Sequence, residues 1–250
     1  MGKNRQRRNL YFYCWEREYM TAAVKSDRVS VNIKEFEYDD NIEDFTKLKN
    51  SGVEICAYLP VLWKGETSDI EEISDIVYGV YVGNAGQIMK VKKADVKMFA
   101  DAYMNIYNDL TVKTSAEQGF DGAVLSYELD SENREIYEEV KKYGSCSETE
   151  LEVLRYGRVP AMISEYCPLA GAEGVRGTGC GKCMEHNPVF LKDSYGDRYP
   201  VLLDDTRCTS LILSREPLNR KKSAGGLKYT DRGMERITVF DESPGFIARL

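Results

Sequence analysis

A rhythm runs through the first 160 residues of this 250-residue chain. Short runs rich in Val, Ile and Tyr recur at intervals of roughly two dozen residues: Leu10–Trp15, Val29–Ile33, Val53–Leu59, Ile76–Val82, Val96–Ala100, Gly122–Ser126 and Glu152–Tyr156. Such residues favour strands. Between the runs lie segments with helical periodicity. Asn41–Leu48 follows the pair Asp39 and Asp40, a capping signal, and Leu110–Gln118 ends before Gly119. Ser131–Tyr143 is entered through Asp130 or Ser131 and is followed by Gly144. These are ordinary helix start and stop signals. Strands that are apolar on both faces, alternating with helices, predict an α/β fold with a parallel sheet. The repeat length suits a parallel (β/α) barrel of TIM type, whole or incomplete. A doubly wound open sheet is the alternative, although no GxGxxG follows a strand to support nucleotide binding.

In a barrel, function gathers at the C-terminal ends of the strands. Gly83, Asn84, Asp101, Asn105 and Glu128 therefore become candidates, each with the ordinary alternative of a turn, cap or loop residue. The alternation stops near Pro160. The expected organisation is a partial barrel over 1–160 and a Cys-rich region with a C-terminal extension over 161–250. Within the latter, apolar runs occur at Tyr199–Leu203 and Ser210–Leu213, a Gly-Gly turn at 225–226, and a further candidate strand at Ile237–Phe240.

Composition removes several function classes. Hydrophobic residues make up 42% and charged residues 30%, which suits a folded domain and not a disordered chain. No run approaches 18 apolar residues, so no membrane span is expected. The opening NLYFYCW run ends at Glu16, has no small-residue cleavage site, and reads as a strand and not as a leader. The net charge is −7. Residues 151–250 carry 15 basic and 13 acidic side chains, against 19 and 28 in residues 1–150. The whole chain is thus no basic nucleic-acid binder. A local basic face can still form from Arg207, Arg215, Arg220, Lys221, Lys222, Lys228 and Arg232, or these can be ordinary solvated charges. His186 is the sole histidine. Sites needing two or three histidines are therefore excluded, as is HExxH zinc chemistry. A Ser-His-Asp or Cys-His pair would have to use His186.

The seven cysteines are odd in number and come without a secretory leader, which argues against a disulfide framework and for a cytoplasmic protein. Cys14 and Cys56 sit in apolar runs and read as small buried hydrophobes. Cys146 lies in a polar loop. The other four fall within 42 residues, as Cys167-x12-Cys180-x2-Cys183-x24-Cys208. A Cys-x2-Cys pair puts two sulfurs on one tight loop, and Gly181 eases its turn. With two further cysteines the set suits a tetrahedral zinc ion or an iron–sulfur cluster, and spacing does not choose between them.

The residues around these cysteines resemble the peptidase U32 family of collagenase-like proteins. The matching stretches are YGRVPAMISEYCPLAG at 156–171, GCGKC at 179–183, FLKDSYGDRYPVLLDDTRC at 190–208 and LILSREPL at 211–218. VGNAGQI at 82–88, DAYMNIYN at 101–108 and LSYEL at 125–129 fit less specifically. The resemblance covers roughly 76–218. It implies a barrel fold with a cysteine-ligated [4Fe-4S] cluster. By motif, Cys167, Cys180, Cys183 and Cys208 take the ligand positions. Glu165 takes the S-E-x-C position, and Arg158 follows the matching Tyr-Gly. The strand–helix units that usually open family members are missing. This reads as a truncated member or the second half of a longer protein, with a partner chain or dimerisation as a way to complete the barrel.

The resemblance implies two activities. One is collagenase-like proteolysis of a peptide substrate, for which Glu128 or Glu165, if buried with a raised pKa, would be the general base and His186 a neighbour of the metal site. The other is oxygen-independent hydroxylation of a tRNA or rRNA base, or of an aromatic metabolite. There the cluster moves electrons or binds a reactant, the basic C-terminal part meets phosphates, and Tyr127, Tyr156 or Tyr166 stacks a base. The residues present favour hydroxylation. A third reading is a non-catalytic subunit stapled by its metal.

Overall fold

The computed structural model describes residues 8–12, 16–62, 70–129, 139–140, 142, 149–174, 180, 182–185, 189–204, 207–219, 228–232 and 246–249. The chain forms two compact units. The first is Met1–Tyr156 with Asn219–Glu235, and the second is Gly157–Leu218 with Arg236–Leu250. The chain thus leaves the first unit just before Pro160, where the sequence rhythm stops, and revisits it once.

In the first unit, seven strands follow the seven apolar runs. They are β1 (Arg8–Tyr11), β2 (Arg28–Asn32), β3 (Glu54–Tyr58), β4 (Gly79–Val82), β5 (Lys97–Ala100), β6 (Gly122–Val124) and β7 (Glu150–Gly157). Each pairs in parallel with the next. A further strand, Lys228–Arg232, pairs in parallel with β7 on one side and β1 on the other. The pairing therefore returns to its starting strand, and a curled parallel (β/α) sheet of TIM type results. The open doubly wound alternative is set aside, because an open sheet leaves two edges unpaired.

Successive strand residues point to opposite faces. One face carries Leu10, Val29, Val31, Ile55, Val80 and Met98, which join a single apolar cluster with Phe45 and Leu48 of the helix Asp39–Asn50. The other face carries Tyr11, Cys56, Tyr58, Tyr81, Phe99 and Val124, which form a separate cluster. A sheet that curls away from its helices encloses that second face. Two glycines set its packing. A Cβ on Gly79 would lie 2.6 Å from the Phe99 ring, and one on Gly122 would lie 2.8 Å from it. Their neighbours on β5 are Lys97 and Phe99 respectively. Bare backbone on both sides is what lets the Phe99 ring lie across the interior.

The helices keep most of their sequence signals. The helix Asp109–Glu117 has a capping box: the Asn108 side chain accepts from the Thr111 N–H, and the Thr111 hydroxyl accepts from the Asn108 N–H. It ends before Gly119, whose φ is +86°, a conformation that suits glycine. The helix Asp39–Asn50 corrects the capping expectation. Asp39 and Asp40 lie inside its first turn, and Tyr38 at the cap position makes no side-chain bond. The acids act on the positive end of the helix, while Lys47 and Lys49 sit at the other. Of the expected helix Ser131–Tyr143, the described residues Glu139, Val140 and Lys142 are helical, and the rest lies outside the described residues.

The second unit contains a five-stranded sheet. Its strands β8 (Pro160–Ser164), β9 (Val189–Lys192), β10 (Arg198–Asp204) and β11 (Thr209–Leu213) pair antiparallel in the order β9-β10-β11-β8. The strand Phe246–Arg249 adds in parallel beside β9. Leu169, Val189, Leu191, Val201 and Ile212 form its core. The 225–226 turn and Ile237–Phe240 lie outside the described residues. Among the described residues, no helix is long and apolar enough to cross a membrane.

Candidate functional site

The interior of the first unit is polar at the N-terminal ends of its strands. Arg28, Glu54 and Glu150 are the first residues of β2, β3 and β7. Arg28 is fully buried, at 0% exposure. Its Nη2 and Nε donate to Glu54 Oε2 at 2.7 and 3.0 Å. Its Nη1 donates to Glu152 Oε1 at 2.7 Å and to the Tyr81 hydroxyl at 2.9 Å. Glu150 lies 3.0 Å from the same Nη1, and the Tyr81 hydroxyl donates to Glu152 at 2.5 Å. The guanidinium stacks over Phe99 at 4.5 Å and Tyr78 at 5.2 Å. Burial holds the Tyr81 phenol well above its ordinary pKa; Arg28 opposes this and Glu152 adds to it. Burial also pushes the Cys56 thiol up to about 12. Cys56 is therefore a protonated, inert side chain at neutral pH, as its apolar run suggests. In a barrel the N-terminal ends hold the fold together and the C-terminal ends carry function, so this cluster is structural. Its signal was a period-two row of polar residues in apolar runs: Arg28, Ser30 and Asn32 on β2, and Glu150 and Glu152 on β7.

At the C-terminal ends, the candidates resolve into turns and caps. The Asn84 side chain accepts from the Gly86 N–H, and Gln87 Oε1 accepts from the N–H groups of Gly83 and Asn84. Asn105 takes a left-handed conformation, with φ at 56°, and ends a short 3-10 turn. Asp101 does more. It is buried to 1% exposure, caps Ala102, and accepts from the Tyr11 hydroxyl at 3.2 Å. Tyr11 in turn stacks on Tyr58, with centroids 4.4 Å apart. The end of β1 and the end of β5, 90 residues apart, are thereby joined. Glu128 follows β6, is exposed, and its backbone N–H donates to Ser126 Oγ. Tyr127 is half-buried and edge-on to Tyr103 at 6.3 Å.

The other candidates belong to the second unit. Arg158 is buried, and its Nη1 donates to the carbonyls of Ser214 and Arg215. Glu165 and Tyr166 are exposed, Tyr166 to 64%. The side chains of two members of the candidate basic face are described. Arg207 is buried and paired with Asp204 at 3.1 Å, and Arg215 pairs with Asp197 at 2.6 Å. The side chains of Arg220, Lys221, Lys222, Lys228 and Arg232, like His186, Cys14 and Cys146, lie outside the described residues.

Cys167, Cys180, Cys183 and Cys208 all fall in the second unit, as half-buried thiols. Cys167 precedes the helix Pro168–Glu173, Cys183 sits on the helix Lys182–Glu185, and both pack against the apolar core. Cys208 holds a left-handed backbone, with φ at 50°, in the turn from β10 to β11. A residue other than glycine held there marks a constrained site. The donors fit a four-thiolate group in kind, number and partial exposure. Among the described residues, no three His, Cys, Asp or Glu side chains already converge as a metal shell.

A model of the family described as Peptidase family U32 matches residues 22–188. Three solved structures are similar. The U32 peptidase Mk0906 is 18% identical with a TM-score of 0.48, over 71% of this chain and 82% of that one. An HpcH/HpaI aldolase from Desulfitobacterium hafniense DCB-2 is 12% identical with a TM-score of 0.42, over 60% and 77%. An uncharacterized B. cereus protein is 13% identical with a TM-score of 0.40, over 63% and 49%. No curated protein matches the sequence.

Proposed function

Because the chain belongs to peptidase family U32, matched over residues 22–188, we propose that it is an iron–sulfur enzyme of that family. In this reading it hydroxylates an RNA base or an aromatic metabolite without molecular oxygen: an oxygen-donor co-substrate gives up its oxygen atom and is reduced by two electrons as the substrate C–H is oxidised to C–OH. The observation that supports this is that Cys167, Cys180, Cys183 and Cys208 all lie half-buried within the second unit. These four residues would hold a [4Fe-4S] cluster, with zinc as the alternative occupant. When bound, the cluster would supply electron transfer or, if one of the four thiolates were labile, an open iron position. The rest falls to the protein's own side chains. Glu165, exposed and two residues from Cys167, exchanges a proton with the substrate. Arg158 fixes the end of β11 through the Ser214 and Arg215 carbonyls. Glu128, exposed after β6, belongs to the first unit, at the C-terminal ends of its parallel strands.

The test is anaerobic purification followed by an absorption spectrum and iron, sulfide and zinc analysis. A broad band near ~400 nm with about four iron and four sulfide per chain is expected. One zinc and no colour would overturn the proposal and make the thiols a structural staple.

The family's own description favours a second reading, collagenase-like proteolysis. It requires a general base, and Glu128 and Glu165 are its candidates. Gelatin cleavage that survives both Glu128→Gln and Glu165→Gln would reject these roles.

A further inference from the structure

A cavity of about 490 Å³ opens in the second unit, and none of the four thiols lines it. Three guanidinium groups line it, from Arg158, Arg198 and Arg215, with two carboxylates, Asp197 and Glu216, and the Phe190 ring. Each arginine is held in place. Arg158 Nη1 donates to two backbone carbonyls, of Ser214 and Arg215. Arg198, the first residue of β10, stacks over Phe190 of β9 at 4.0 Å. Arg215 is anchored by Asp197 at 2.6 Å and by Glu216 at 3.5 Å. Both lining carboxylates therefore engage the same arginine, and cations on the wall outnumber anions.

Three arginines, planar and always charged, lining one space suit an acceptor with several oxygens in different directions. A phosphate is that acceptor, since a single carboxylate satisfies one fork. The cavity is larger than a bare phosphate needs and lies in the range of small-molecule sites. The Arg198–Phe190 stack supplies a flat platform of the kind on which bases stack. We propose that this pocket binds a nucleotide phosphate, with the base against the Arg198–Phe190 platform. The inference does not rest on the iron–sulfur reading, because none of the four cysteines lines the pocket.

The experiment titrates the full-length protein with 5′-AMP, adenosine, inorganic phosphate, and a short single-stranded RNA with or without a 5′-phosphate. AMP is expected to bind at least about tenfold more tightly than adenosine, by the contacts of one charged fork. Arg198→Gln and, separately, Arg215→Gln should each weaken AMP about tenfold or more with an unchanged circular dichroism spectrum. Tighter binding of the 5′-phosphorylated RNA than of AMP would assign the phosphate to a strand, and the reverse to a free nucleotide. Phosphate-independent binding, or no binding by AMP and RNA alike, overturns the proposal. So does binding that neither substitution weakens; Arg215 is half-exposed, so its variant tests the pocket even where Arg198→Gln fails to fold. The same titration on protein with and without iron should agree, which separates this result from the fate of the cluster.

Discussion

Arg28 turns the N-terminal end of the barrel interior into a charged layer shared by Glu54, Glu150 and Glu152. A buried pair is weak evidence of net stability, but removing one partner leaves the others uncompensated. Arg28→Met strips the shared cation from three carboxylates. It should cost about 3–5 kcal/mol, read as a lower urea midpoint with the m-value retained. Cys56 carries a pH signature. Its thiol is raised from 9.0 to about 12 in the folded chain, so the unfolded chain loses its proton first. Its contribution is fully present below pH 9 and is lost as pH rises towards about 12, with a slope of up to about 1.4 kcal/mol per pH unit. Cys56→Ala should therefore show a shallower loss of stability across that window. An unchanged slope in alkaline urea titrations would show that the buried thiol does not contribute. At the thiols themselves, spacing identified the four candidate ligands, because Cys-x2-Cys in a glycine-rich stretch is a local signal. Arg28 carries no comparable local signal for its partners, which lie 26 to 124 residues away.

Strands and helices were legible in the sequence because each is a local pattern. All seven apolar runs became strands β1 to β7, and Asn108 and Gly119 bound their helix as such residues do. The glycines of β4 and β6 were not legible in the same way. Gly79 and Gly122 flank the Phe99 ring only because β4 and β6 pair on either side of β5. Gly79→Ala and Gly122→Ala should each destabilise by about 1–3 kcal/mol through overpacking. Shrinking the ring by Phe99→Leu should recover part of that loss in either double variant. Thermal melts of the singles and doubles measure this coupling, and strict additivity would mean that the ring is not the obstacle.

At the scale of the molecule, the two units make separable statements about stability. The cysteines belong to the second unit and the strand ring to the first. Cys183→Ser should abolish iron incorporation while the parallel sheet keeps its far-ultraviolet dichroism. Loss of both signals together would tie the first unit to the metal. The amino-acid sequence by itself determined the parallel (β/α) architecture, the place where its rhythm ends, the family, and the four thiols. All of these are written in short windows of residue type and spacing. Only the tertiary structure decided that strand Lys228–Arg232 returns to lie between β7 and β1. The same holds for Arg28 collecting three acids from two strands, for Asp101 meeting Tyr11, and for three arginines from residues 158 to 215 lining one cavity. The physical reason is common to all four. Each depends on the pairing of segments that are distant in sequence, and the residues beside such a contact in the chain do not name its partner.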